Sequence, residues 1–445
     1  MPKSAKFSKS IRYSFWDGFF ASIQFAIVEQ FVVPVALFMG AGSFAIGFLN
    51  FLRSVLVSIF QVFSADISNL IQSRKKLIVI SIFFAALFWL PSYFLPFLFS
   101  SHRVSVFILF FTLASVLNVL PAPAWASLMA DYIPPSKRGR YFGWRGTVLG
   151  IVYCMGVIGA GLWLSFEKAD LFFRFAILIA IASLARFISC YFLEKMYEPK
   201  WRVTRTDYFS LRDFLWHLSR SNFARFAVFS SFFIFAVSLV SPFFALFLLE
   251  ELKFDYFKYT LIIGASVLTI FLTQIYWGRF GDKYGNIKII RLTSVLISFV
   301  PLFWFFSQNY IYLVFVQLIA GFIWAGFNLS STNFIYDAAT STKRERCISY
   351  YNFLSGIGLG LGALLGGFLY KSMPPFLGYS FFALLGLSFF LRLMSAFLII
   401  GFTREVKNIE KVQLRVFLYD LSGLKVFGLM TKELLVRFRK RKASN

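Results

Sequence analysis

The chain has 445 residues, 59% of them hydrophobic and 21% aromatic, with only 15% charged and a mean hydropathy of +0.72. A soluble domain carries about 25% charged residues, so this composition excludes a water-soluble enzyme and points to a polytopic membrane protein. The net charge of +25 would suggest a nucleic-acid partner in a soluble chain. Here the Lys and Arg residues gather in the breaks between apolar runs, which is how positive charge is retained on one membrane face, and nucleic acid is not expected as a partner.

A bilayer core takes about 20 apolar residues per helix. On that ruler twelve spans are expected, near 13–38, 43–65, 77–98, 104–130, 141–165, 170–194, 222–249, 256–277, 287–307, 309–335, 346–370 and 376–402. The basic start (Lys3, Lys6, Lys9, Arg12) leads into an apolar run too long for a signal-peptide core. The fold class expected is an all-α polytopic membrane protein. Its organisation would be a first six-helix half (1–194), a linker (195–221), a second half (222–402) and a basic tail (403–445). The segments on the side of the termini hold 34 Lys and Arg against 5 in the alternate loops. That bias places both termini in the cytoplasm, for a protein of a prokaryotic plasma membrane.

In the first span Asp17 lies near the cytoplasmic end and Glu29 near mid-depth, flanked by Gln24 and Gln30. The second span returns with Arg53 at a matching depth and Asn50 one turn away, so a Glu29–Arg53 pair is expected to line a central cavity, with Glu29 exchanging protons. Ionisable groups inside a bilayer are costly and default to functional candidates. A structural ion pair locking the two spans is the competing reading. Span four carries Asn118, then Pro121 and Pro123, which break the helix ladder, then Trp125. Arg145 and Arg225 are expected to snorkel or bind carbonyls at helix ends, Arg174 to point outward, and Arg186 to take a neighbouring carbonyl. Gln274 in span eight and Gln317, Trp324 and Asn328 in span ten complete the set of substrate or proton candidates.

The chain repeats itself. Asp131, Lys137, Arg138 and Arg140 align with Asp337, Lys343, Arg344 and Arg346 at an offset of 206 residues, and Gly150, Gly156 and Gly161 continue onto Gly356, Gly362 and Gly367. The two halves read as a tandem duplication, related by an axis along the membrane normal. In span eleven Gly356, Gly358, Gly360, Gly362, Gly366 and Gly367 form a ladder suited to close helix packing. In the linker, residues 207–218 have the spacing of an amphipathic helix on the inner leaflet. The tail cluster Arg437–Lys442 is suited to anionic inner-leaflet lipids.

Between spans eight and nine stands Trp277-Gly278-Arg279-Phe280-Gly281-Asp282-Lys283-Tyr284-Gly285-Asn286, read as a polar turn. Gly278, Asp282, Lys283 and Gly285, with Lys288 following, resemble the loop signature of the major facilitator superfamily, although Asn286 stands where a basic residue is usual. The first-half copy is degenerate. Asp66 is present, but Val62 and Asn69 replace the glycines and Ile67 the basic residue, and Arg74, Lys75 and Lys76 lie further on.

The resemblance implies a monomeric secondary transporter of a small molecule, working by alternating access. In the inward-closed state Asp282 would engage a helix start of the other half, Arg279 or Lys283 a gate carboxylate such as Asp131, and Asp337 the loop at Asp66. It also implies that Arg392 in the last span is peripheral. The amphipathic candidates favour a hydrophobic or amphipathic substrate exported with proton coupling, with a sugar or other small metabolite as the alternative and a non-transporting sensor behind it. With two His, three Cys and no nucleotide-binding loop, no metal, cofactor or catalytic set is expected.

Overall fold

The computed structural model describes residues 3–133, 135–166, 170–199, 216, 221–338 and 344–406. The linker helix expected at 207–218 (Trp216 apart) and the tail cluster lie outside the described residues. The side chains of Arg138, Arg140, Arg344 and Arg346 also lie outside them, although their backbone is helical.

Among the described residues twelve helical segments are long and apolar enough to cross a membrane. They are α1 (Lys6–Phe38), α2 (Ser43–Val62), α3 (Arg74–Leu98), α4 (Ser100–Tyr132), α5 (Tyr141–Leu164), α6 (Leu171–Glu194), α7 (Asn222–Glu251), α8 (Tyr256–Tyr284), α9 (Asn286–Phe303), α10 (Tyr310–Ala338), α11 (Cys347–Ser372) and α12 (Ser380–Phe402). Helices are forced by the solvent, because hydrocarbon leaves no partner for an unpaired peptide group. Their starts are set by local chemistry. Ser73, Ser221 and Asp255 each accept a hydrogen bond from the backbone N–H three residues on, satisfying one of the free N–H groups of the first turn.

Two spans are broken. α4 breaks at Leu120–Pro121, between helices Arg103–Val119 and Ala122–Tyr132. α7 breaks between Ser238 and Phe243, next to Pro242, and closes with a π turn at Phe247–Glu251. Proline removes a donor and clashes with the preceding turn. Val119, Ser241 and Pro242, at these two breaks, all line the central cavity described below.

The stretch at 278–286 corrects the sequence reading of a polar turn. α8 continues through it to Tyr284, and only Gly285, at φ +90°, reverses the chain. Gly278 and Gly281 are helical. The degenerate first-half copy folds as a separate short helix, Ser64–Ile71, stopped by Gln72 at φ +55°. Glutamine there does the job that glycine does at lower cost in the second half.

α1–α6 pack mainly among themselves, as do α7–α12, and the extensive contacts between the two sets are α2 along α11 and α5 along α8. The repeated glycines make these contacts symmetric. A Cβ at Gly150 would meet the Phe271 ring and one at Gly161 would meet Thr260, both on α8. At Gly356 it would meet Ser58, and at Gly367 Ser43 and Gly47, all on α2. The middle member of each trio faces its own half: Gly156 lies on Ala26, and Gly362 on the carbonyl of Phe235. The ladder of α11 therefore serves two partners on two faces.

Each half is stapled at the face carrying the chain termini, hereafter the terminal face. Arg74 donates to Asp131 at 2.6 Å and to Ser127 at 2.9 Å. Glu198 accepts from Ser73 at 2.5 Å and from the Lys75 N–H at 3.1 Å. In the second half Asn286 donates to Asp337 at 2.7 Å, and Glu405 accepts the Ile287 N–H at 2.8 Å. A carboxylate beside the N–H groups of a helix start is favoured by the helix dipole.

The buried apolar side chains divide unevenly. On the far face one cluster runs across both halves, joining Phe31, Val35 and Phe175 to Val240, Phe243 and Tyr259. Toward the terminal face the clusters each belong to a single half. The molecule is thus closed on the far face and parted on the terminal face.

Candidate functional site

The parting leads to a cavity of about 470 Å³ between the halves, lined by α1, α2, α4, α7, α8 and α11. Its charged feature is an ion pair, in which Arg53 of α2 donates to Glu29 of α1. The Arg53 guanidinium also lies 5.7 Å from the centre of the Phe111 ring, an attractive arrangement. Gln30, Asn50, Ser54, Ser241 and Tyr259 add neutral polar groups, and Val32, Val33, Phe244, Ile263 and Leu359 the apolar wall. At the far end Gln30 donates to the Tyr153 hydroxyl at 2.7 Å, and Tyr259 of the second half donates to the Gln30 carbonyl at 2.9 Å. Those bonds tie α1 to α5 and to α8 where the cavity is closed.

A second polar group lies inside the first half. Ser189 donates to Asp17 at 2.7 Å, and Arg186 donates to Ser189 at 3.1 Å and to Asn118 at 2.8 Å. Asn118 donates to Gln24 at 3.4 Å. Arg145 reaches Asp17 at 3.8 Å, donates to the Ser14 carbonyl at 3.0 Å, and lies over the Trp125 ring at 4.8 Å. Gln24, Asn118 and Trp125 thus belong with Asp17 and two arginines and not with the central cavity. Arg186, expected on a neighbouring carbonyl, takes side-chain partners instead, and sequence reasoning could not join these residues because span lengths do not fix how a helix is rotated about its axis.

The repeat offers the missing signal. At the offset of 206 Arg186 corresponds to Arg392, Ser189 to Ser395 and Asn118 to Trp324. Ser395 donates to the carbonyl of Phe229, where Ser189 donates to Asp17. The second half has kept the arginine and serine and has no acid there. Arg392 is not among the residues lining the central cavity. It is 4% exposed, and among the described residues it reaches the carbonyls of Ile297 and Val237, both at 3.5 Å.

The other candidates are dispersed. Gln274, Gln317, Trp324 and Asn328 are not among the residues lining the central cavity. Trp324 packs on Phe233 and Phe327, and Asn328 is exposed. Arg174 donates to the carbonyl of Leu164, the last residue of α5. Asp131, expected to meet Arg279 or Lys283 across the gate, is held by Arg74 of its own half, since the halves are parted on that face. Lys283 lies over the Tyr284 ring at 4.8 Å. Asp66 is exposed in the first turn of its short helix, and Asp282 stands in the last turns of α8. Asp282→Asn should reduce transport at least several-fold more than Asp66→Asn, as initial rates in proteoliposomes would read. Equal losses would remove the asymmetry between the two copies.

Comparison with known proteins bears on this geometry. The sequence profile described as Major Facilitator Superfamily matches residues 226–438. A multidrug resistance efflux pump, a PmrA homologue of Lactococcus lactis, is 24% identical over 251 residues, covering 55% of this chain and 60% of its own. The quinolone resistance protein NorB of Staphylococcus aureus is 27% identical over 217 residues, covering 47% of this chain and 43% of its own. The chain therefore matches only about half the length of these relatives.

Among solved structures, the nucleoside transporter NupG superposes with a TM-score of 0.65 at 13% identity, over 89% of this chain and 98% of that one. The D-xylose–proton symporter gives 0.67 at 12%, over 91% and 98%. A bacterial homologue of the iron transporter ferroportin in an inward-facing state gives 0.64 at 14%, over 88% and 98%. At such identities these likenesses speak for the fold alone.

Proposed function

We propose that the chain is a transporter of the major facilitator superfamily, whose profile matches residues 226–438, and that it exports an amphipathic small molecule in exchange for protons, around the Glu29–Arg53 pair. One observation carries this reading: the ion pair lies in a cavity of about 470 Å³ between the halves, whose lining mixes neutral polar and apolar side chains. A transporter needs a site that both halves form and that each conformation opens to one side. The excess of Lys and Arg at the terminal face supports a cytoplasmic location for both ends, so that the cavity opens inward. The bacterial relatives named for multidrug and quinolone resistance support efflux across a bacterial plasma membrane.

Coupling follows from charge. A substrate whose donor groups take Glu29 displaces Arg53 and keeps the proton off the carboxylate, while a proton arriving on Glu29 removes the charge with which the substrate would pair. Charge in a site partly shielded from water is expensive unless paired, so proton and substrate compete for the same two side chains. Asp282 and the helix starts of the first half would close the terminal face in the opposite conformation.

The test uses purified protein in proteoliposomes with a fluorescent quinolone as probe. Wild type should accumulate the probe under an imposed pH gradient. Glu29→Gln should lose that response and retain counterflow exchange in the absence of a gradient. An unchanged response to the gradient in Glu29→Gln would refute coupling through this residue, and the absence of quinolone counterflow in wild type would refute the drug class.

A further inference from the structure

A second cavity, of about 260 Å³, lies within the first half and meets the central one at Val119, which lines both. Its walls are mainly apolar, with Phe25, Ile78, Ile82 and Leu149 among them. Three charged side chains line it: Asp17, Arg145 and Arg186. One carboxylate therefore faces two guanidiniums.

The hydrogen bonds do not offset the surplus. Arg186 is 5% exposed and spends its bonds on the neutral groups of Asn118 and Ser189. Arg145 spends one on the Ser14 carbonyl, and its Nε is buried without an acceptor. Asp17 takes its hydrogen bond from Ser189 and stands 3.8 Å from Arg145. No second carboxylate among the described residues lines the cavity. Keeping an unbalanced cation out of water is costly, and guanidinium pairs well with planar carboxylates.

We propose that this cavity binds an organic anion, with a carboxylate against Arg145 and Arg186 and an apolar body against the Phe25–Ile82 wall. The site is separate from the Glu29–Arg53 pair and does not depend on the transport reading. The second half sharpens the contrast, because Arg392, the counterpart of Arg186, stays between helix carbonyls.

The experiment is calorimetric titration of the full chain in detergent with benzoate, benzamide, benzamidinium and acetate. Benzoate should bind at least about tenfold more tightly than benzamide, the scale of one charge-assisted hydrogen bond, and benzamidinium should not bind. Acetate, lacking the apolar body, should also bind about tenfold more weakly than benzoate. Arg145→Gln should bring benzoate to the level of benzamide, and Asp17→Asn, which removes the one negative charge, should tighten it. Should Arg145→Gln fail to fold, the sign of the Asp17→Asn shift decides: tightening supports the site, and weakening or no change overturns it. Equal binding of benzoate and benzamide, acetate matching benzoate, or benzoate binding lost in Arg53→Gln but kept in Arg145→Gln would each overturn the assignment.

Discussion

Gly358→Ala and Gly362→Ala should each lower the apparent melting temperature of the purified protein by roughly 3–10 °C, the scale of overpacking by one methyl group in a large domain. Gly150→Ala and Gly161→Ala should reduce flux more than they lower melting. The distinction lies in what each new methyl meets. At Gly358 it would lie 2.4 Å from the carbonyl oxygen of Ser231, and at Gly362 2.3 Å from that of Phe235. Both oxygens belong to the backbone of α7, in the same half, and a helix carbonyl cannot rotate aside. At Gly150 the obstacle is the Phe271 ring at 2.5 Å, and at Gly161 the Thr260 side chain at 2.1 Å. Those groups belong to the other half, and the proposed alternating-access cycle would part and reform that contact each time. A wedge there changes the balance between conformations and leaves each half intact. Thermal unfolding in detergent beside counterflow rates separates the two effects. A melting loss at Gly161 as large as at Gly358, with flux falling in proportion, would mean that the α5–α8 contact is fixed.

The duplication made much of this architecture readable in advance. Three glycines at a constant offset carried the same contacts in both halves because the offset preserves their position around the helix as well as along it. The depth of Glu29 and Arg53 was readable for a similar reason, since two consecutive spans of known length leave little choice. Rotation about the helix axis was not readable for a single residue, so Asp17, Asn118 and Arg186 remained separate candidates. The end of α8 was misjudged on different grounds. Polarity at 278–284 marks where the chain leaves the apolar layer, whereas the helix ends only where Gly285 takes a positive φ. Arg392 shows how the repeat adds to span reading, since the offset of 206 pairs it with Arg186.

That match supplies the second large effect. Arg186→Met should destabilise the protein by about 3 kcal/mol or more, whereas Arg392→Met should be neutral or stabilising by about 1–4 kcal/mol. Both arginines are almost fully buried, at 5% and 4% exposure, and methionine fills much of the same volume in each case. The difference lies in what is left behind. Removing Arg186 strips donors from Asn118 and Ser189, the residue that holds Asp17, and leaves Asp17 with Arg145 at 3.8 Å. Each buried polar group left without its partner costs about 1–3 kcal/mol. Removing Arg392 leaves the carbonyls of Ile297 and Val237, whose contacts with it are long, at 3.5 Å. Carbonyls within a helix already hold intrahelical partners, so little is orphaned, and the cost of a guanidinium without a carboxylate among the described residues disappears. Melting temperatures of the two variants in one detergent make the comparison, and a loss at Arg392 equal to that at Arg186 would show that the second half depends on its arginine as much as the first does.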